Sequence, residues 1–265
     1  MDRVLAIAAL IAYVAPLLGL AVARARPVLS HVGWTLAGLG LHLAALLLPI
    51  VATAALPLDS MRWTLEALAL WVVLGWLLLR RQPRMELLGA MLLGTSVVLL
   101  AVAQVAPAAG VSGPLDSLWL PAHLALILLG LGCFAVSFTL SILFLIVRRR
   151  LKQKRLRGIA RLPSLETLDR LNARAMALGF VSLTAGMAIG GTWAATHPDR
   201  SMGPDITIWG TVALWLWYAA GLHVRFVSGW RGRLAAVFGV GGFAGLGLLV
   251  LIALVVLRGW HGAGG

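Results

Sequence analysis

Four histidines stand in or beside long apolar runs, where an ionisable ring is costly to bury and is therefore a functional candidate. His42 and His223 lie inside such runs, His123 opens one, and His261 follows another. Neutral imidazole is a good ligand for iron and other transition metals. The four residues sort by depth into two pairs, and each pair could ligate one metal ion between helices.

The scarcity of cysteine and of acidic residues limits which kinds of metal site are possible. Cys133 is the one cysteine of the chain, which excludes an internal disulfide framework, a CxxC redox pair and a cysteine-rich metal site. The nine acidic residues argue against a carboxylate-lined cation site. Haem supplies hydrophobic bulk that suits a cavity between apolar helices, so bis-histidine haem, predicted to be haem b, is the candidate cofactor. The alternative interpretation of His42 is a hydrogen bond to a neighbouring helix.

The elements that must position these histidines are membrane helices. The chain has 265 residues and is 61% hydrophobic but only 12% charged, whereas soluble domains are roughly 45–50% apolar. A transmembrane helix needs about 20 mostly apolar residues. The sequence predicts an all-α, polytopic helix bundle with eight such helices, namely 4–22, 33–54, 64–79, 87–105, 118–147, 171–195, 206–226 and 234–257.

Basic residues orient this bundle, which is predicted to be a single integral membrane domain over 1–265. Most of the 22 Arg and Lys residues fall in the connections after the first, third, fifth and seventh helices, and the positive-inside rule places those connections in the cytoplasm. Both termini are therefore predicted outside, in a multi-pass protein of the bacterial inner membrane. The net charge of +13 reflects this topology and an attraction to membrane lipid, and nucleic acid is not a predicted partner.

The longest inner connection, 148–170, begins with basic residues and continues with a helical pattern. Leu165, Leu168 and Leu171 share one face of that pattern, and Ser164 before them is a suitable N-cap. A basic segment followed by an apolar face is typical of a helix that lies in the membrane surface. The pattern predicts a short interfacial helix that leads into the sixth span.

Two inner segments carry a more specific signal. LPSLETLDRLNARAMALGF begins at Leu162, and LHVRFVSGWRGRLAA begins at Leu222. Both resemble the cytochrome c assembly membrane proteins, the superfamily that includes CcsA, CcmC and HemX. A third and weaker match, HLALILLG, begins at His123. The resemblance covers residues 118–262, and the preceding part of the chain matches only in hydropathy and by His42.

The resemblance implies a role in handling haem. In that family one histidine pair within the membrane and a second pair at its outer face bind haem. These roles fall on His42 with His223, and on His123 with His261. The family moves or presents haem to apocytochrome c outside the membrane, so the implied partners are haem, lipid, apocytochrome c and other cytochrome c maturation proteins.

The connection between the sixth and seventh helices departs from the family pattern. The synthases of the family hold the outer haem with a tryptophan-rich loop that ends in Trp-Asp-Pro-Lys-Glu. Here Trp193, Asp205 and Trp209 correspond to that loop, and they are the further haem-binding residues that the resemblance implies, but the dense tryptophan core is missing. The departure argues against synthase activity and favours the HemX-like or YpjD-like branch.

The sequence therefore predicts a haem-binding inner-membrane protein that acts in cytochrome c biogenesis, by haem delivery or in an accessory role. Two alternatives stay open. The same histidine pairs could carry electrons across the membrane in a bis-histidine haem oxidoreductase subunit. A membrane scaffold of the same fold could have lost its haem.

Overall fold

A computed structural model of the protein describes residues 1–22, 28–57, 60–106, 112–114, 119–155, 159–196, 206–229 and 232–262. Side chains are described over the same ranges except 19–31, 112–114, 160, 206–207 and 249–262. Within these residues the chain forms eight α-helices: α1 (Asp2–Val22), α2 (Val28–Thr53), α3 (Met61–Leu79), α4 (Glu86–Val105), α5 (Trp119–Lys152), α6 (Leu165–Thr196), α7 (Ile206–Phe226) and α8 (Arg233–Gly262).

The all-α membrane class is confirmed. Within the part of the chain that the structure describes, five helices have the length and apolar composition to cross a membrane, namely most of α2 together with α3, α4, α5 and α6. Two short strands, β1 (Ala55–Pro57) and β2 (Ser112–Pro114), pair antiparallel and join the α2–α3 connection to the α4–α5 connection. The prediction of eight spans with both termini outside stays a prediction.

The helices pack as two groups. In the first, α1 packs against α2 and α4, and α3 packs against α4. In the second, α5 packs against α6 and α8, and α7 packs against α8 and α6. Contacts of α5 with α3 and α4 join the groups, and a core cluster around Leu88, Leu140, Leu143 and Leu168 fills the junction.

Glycines let the helices approach closely at two of these contacts. A Cβ on Gly130 of α5 would lie 3.0 Å from the Gly179 carbonyl oxygen of α6, and a Cβ on Gly179 would lie 3.0 Å from the Gly130 carbonyl oxygen. A Cβ on Gly132 would lie 2.5 Å from the Cβ of Trp71 in α3. Small residues at such crossings are what brings membrane helices together, because lipid itself supplies no hydrophobic drive.

The Gly132 contact gives a prediction about stability. We expect Gly132→Ala to destabilise the protein by about 1–3 kcal/mol, since the added methyl group overpacks the α3–α5 contact. Gly94→Ala in α4 is the matched control because its Cβ would enter open space, and it should be neutral or slightly stabilising. Thermal unfolding of both variants in detergent measures the difference. Equal midpoints would contradict the contact.

The segment before the sixth helix corrects one expectation. The predicted short interfacial helix is not separate, since α6 begins at Leu165 and continues unbroken to Thr196. Ser164 caps it as expected, because its Oγ accepts a hydrogen bond of 3.1 Å from the Thr167 backbone N–H. The apolar face meets protein rather than lipid, and Leu168 and Leu171 are buried in the core. The connection between α5 and α6 also begins later than predicted, because α5 extends to Lys152.

Candidate functional site

His123 lies in the first turns of α5 and contacts α6. Its Nδ1 is 2.7 Å from the backbone carbonyl oxygen of Gly186. A carbonyl oxygen can only accept a hydrogen bond, so Nδ1 carries the proton and donates it. In the neutral ring Nε2 is then unprotonated, and its lone pair points away from this carbonyl. The half-buried ring is therefore held in the tautomer that ligates a metal through Nε2.

Two glycines of α6 make room for this ring. A Cβ on Gly190 would lie 2.6 Å from Cε1 and 2.8 Å from Nδ1 of His123. One turn earlier, a Cβ on Gly186 would lie 2.8 Å from Cδ1 of Ile127. The two glycines form a groove on α6, here called the Gly186–Gly190 groove, into which α5 places His123. The sequence signal is a Gly-x-x-x-Gly spacing, which by itself indicates only close helix packing.

Tryptophans stand at the same end of the α5–α6 pair. Trp119 precedes His123 by one helical turn, and Trp193 follows Gly190 by three residues, so each shares a helix face with its neighbour. Trp119 is 54% exposed, and Trp193 is half-buried. Trp209, in the first turn of α7, is 65% exposed. Trp193 and His123 are both predicted haem-binding residues, and they lie on α6 and α5, which pack directly against each other.

The side chains of two predicted site residues lie outside the described part of the chain. Asp205 lies outside the described residues, and His261 belongs to α8 but its side chain also lies outside them. Their roles in haem binding stay predictions.

His42 is fully buried in the first helix group. Its Nδ1 is 3.3 Å from the Tyr13 hydroxyl of α1, and the two rings meet edge to face. The alternative interpretation, in which His42 forms a hydrogen bond to a neighbouring helix, thus accounts for Nδ1. Among the described residues Nε2 makes no hydrogen bond of good geometry, although the backbone of Glu66 in α3 lies near the ring.

His223 lies in the last turn of α7 and is exposed. Its helix packs against α6 and α8, whereas α2 packs mainly against α1 and α3. The arrangement of the described helices therefore does not bring His42 and His223 together. His42 lies in the middle of α2, whereas His223 lies at the end of α7, and the two rings belong to different helix groups.

An ion pair that sequence reasoning missed joins the two recognisable segments. Arg225 of α7 donates to both carboxylate oxygens of Asp169 in α6, at 2.9 and 2.7 Å. The Gly232 backbone N–H also donates to Asp169 at 3.0 Å. Gly229 and Gly232 have φ values of +67° and +74°, which glycine adopts without strain, so they allow the tight α7–α8 turn. Asp169 thus fixes the end of α7 and the following turn to the start of α6.

A second buried network lies where the ends of α1, α3 and α4 meet. Arg62 bonds Glu66 one turn later at 2.9 Å and Asp2 at 3.1 Å. The Gln104 side-chain amide donates to Glu66 at 3.3 Å. Burial raises the pKa of the Asp2 carboxyl, but the hydrogen bond from the Arg3 backbone and the charge of Arg62 outweigh it, so this pKa lies below its ordinary value. These partners balance the charge of Arg62 within the protein.

Comparison with protein families gives one match over most of the chain. The family model described as "Cytochrome C assembly protein" matches residues 60–261. The matched region contains His123, His223 and His261, together with the Gly186–Gly190 groove and Asp169. His42 lies before it.

Curated relatives agree with this match. The cytochrome c biogenesis protein CcsA of Nostoc punctiforme is 38% identical over 106 residues, which cover 39% of this chain and 30% of that protein. CcsA of Prochlorococcus marinus is 44% identical over 80 residues, 29% of this chain and 25% of that protein. CcsA of Gloeobacter violaceus is 27% identical over 239 residues, 68% of this chain and 70% of that protein. The chain therefore matches about a third or less of the length of the first two relatives.

Proposed function

The chain belongs to the cytochrome c assembly protein family, and from that premise we propose that it binds haem at the outer ends of α5 and α6 during cytochrome c biogenesis. Its role is haem delivery, or an accessory step beside it. The finer assignment to the HemX-like or YpjD-like branch follows from the sparse tryptophans of the connection between α6 and α7. The eight-span topology with both termini outside belongs to the same proposal, because it places His123 on the side where apocytochrome c receives haem.

The observation that carries the proposal is the hydrogen bond from His123 Nδ1 to Gly186. Ligating histidines characteristically donate their second ring N–H to a carboxylate or a backbone carbonyl, which fixes the tautomer and raises the basicity of the ligating nitrogen. His123 has this arrangement. Its Nε2 is therefore prepared for the iron of a haem cargo.

The other residues complete the site in the proposal. His261, at the end of α8, is the second iron ligand, and Trp193 and Trp209 offer flat apolar surface to the macrocycle. Asp205 lies in the same connection as the family's haem-binding loop. Since a delivery protein has to release its cargo, the ligation should be exchangeable rather than permanent.

The membrane-level pair of His42 and His223 stays a prediction, and it requires α2 and α7 to approach each other when haem binds. If they do, wild-type protein carries a second haem, and we expect His223→Ala to lose that haem alone. His223 is exposed, so its removal should leave folding stability within about 0.5 kcal/mol. The haem-to-protein ratio of the purified variant is the measurement. An unchanged ratio would exclude the pair.

The biogenesis role is tested in a deletion strain. We expect the deletion to lower the content of c-type cytochromes, detected by their covalently attached haem, while b-type cytochromes persist. Wild-type protein should restore them and His123→Ala should not. Quinol turnover by the purified protein with normal c-type cytochromes would favour the oxidoreductase alternative. Absence of haem after haem-replete expression would favour the scaffold.

A further inference from the structure

We propose that Gly186 and Gly190 are positioning residues for His123, and that glycine at 190 determines whether the ring can ligate haem. The inference rests on the proposed function, because it takes His123 as an iron ligand. It adds residues that act through His123, and it assigns a ligand-orienting role to a glycine pair that would otherwise indicate only helix packing.

The first step is the shape of the groove. The distances of 2.6 and 2.8 Å from a Cβ on Gly190 to Cε1 and Nδ1 of His123 are far below a van der Waals contact. Both atoms belong to one rigid ring, so neither can move away from the methyl group without moving the whole imidazole. His123 is fixed to α5 one turn from its start, so the ring can escape an added methyl group only by rotating out of the groove.

The second step concerns the hydrogen bond that rotation of the ring would break. The hydrogen bond to the Gly186 carbonyl is 2.7 Å long, and it depends on the ring staying in the groove. A ring that leaves the groove loses the bond that keeps the proton on Nδ1, so both tautomers become available and Nε2 is no longer held in one direction. Loss of such an outer-shell partner typically costs about 10- to 100-fold in metal affinity.

The third step separates this role from ordinary packing. Gly191 is the next residue of the same helix, and a Cβ there meets nothing within 4 Å. Gly190→Ala and Gly191→Ala therefore change helix propensity equally, and only the first reaches His123. The pair isolates the effect on the ring.

The experiment uses full-length protein in detergent with the variants Gly190→Ala, Gly191→Ala and His123→Ala. Haemin titration followed by the Soret band measures affinity and spin state. We expect Gly190→Ala to bind haemin about 10- to 100-fold more weakly and with less low-spin signal, and added imidazole to restore the low-spin spectrum. Gly191→Ala should match the wild type. A merely structural effect of Gly190→Ala would not respond to imidazole.

A measurement on the haem-free protein makes the test independent of how much haem each variant binds. Diethyl pyrocarbonate modifies unprotonated imidazole nitrogens, and mass spectrometry of the peptide that contains His123 reports the extent. We expect Gly190→Ala to gain modification at His123, because the displaced ring exposes Nδ1 as well as Nε2. Gly191→Ala should react as the wild type does.

The outcomes separate the two claims. If His123→Ala binds haemin as tightly as the wild type, the proposed function fails, and this inference fails with it. If His123→Ala loses haemin while Gly190→Ala keeps wild-type affinity, spin state and modification, the positioning role alone is overturned. Equal modification of Gly190→Ala and Gly191→Ala would show that the ring does not depend on the groove.

Discussion

Purified His123→Ala protein is expected to lose haem affinity by more than the about 10- to 100-fold that removal of an outer-shell partner costs. The change removes the imidazole whose Nδ1 bonds the Gly186 carbonyl and whose Nε2 is the proposed iron ligand. Alanine leaves no group in the Gly186–Gly190 groove that could replace it. Haemin titration and the Soret spectrum of the protein purified from haem-replete cells measure the loss.

His31→Ala is the matched control for this prediction. It makes the same chemical change in the first turns of α2, which begins at Val28, on the predicted inner side of the membrane. We expect it to bind haem as the wild type does. Imidazole should partly restore haem binding to His123→Ala, because it can enter the space that the ring vacates. Equal haem affinity in the two alanine variants would remove His123 from the site.

The second large effect concerns the Asp169–Arg225 ion pair. Asp169→Asn keeps the shape of the side chain but leaves the Arg225 guanidinium, which is 8% exposed, without its counter-charge. Breaking a buried pair by removing one partner costs about 3–5 kcal/mol. In a protein of this size each kcal/mol lowers the melting temperature by roughly 2–4 °C, so we expect a fall on the order of 10 °C.

Glu166→Gln is the control for the ion pair. Glu166 lies in the first turn of the same helix and is exposed, so its neutralisation should change stability by at most about 0.5 kcal/mol. Thermal unfolding of Asp169→Asn and Glu166→Gln in the same detergent gives the comparison. Equal melting temperatures would mean that the pair does not hold α6, α7 and the α7–α8 turn together.

The sequence predicted the helices well because hydropathy depends on residue type alone. Each of the eight predicted spans corresponds to a helix, and the N-cap at Ser164 is confirmed by its bond to Thr167. The pattern of Leu168 and Leu171 predicted an apolar face correctly. It could not indicate whether that face meets lipid or protein, which is why the interfacial helix was wrong.

The site was predictable only in part, because sequence gives the depth of a residue along its helix but not its direction around the bundle. His123 was identified as a candidate ligand, but its partner Gly186 is 63 residues away, and no local pattern connects them. Their positions inside apolar runs suggested the pairing of His42 with His223, yet the helices that carry them pack in different groups. Asp169 and Arg225 each stand in a recognisable segment, and only the fold reveals that the segments are bonded to each other.

For the proposed role, this protein has to carry haem where apocytochrome c can be reached. The most direct measurement is the pyridine haemochrome spectrum of wild-type protein purified from haem-replete membranes, compared with that of His123→Ala prepared in parallel. We expect a b-type spectrum in the wild type and its loss in the variant. A colourless wild-type protein, or a variant with the same haem content, would contradict it.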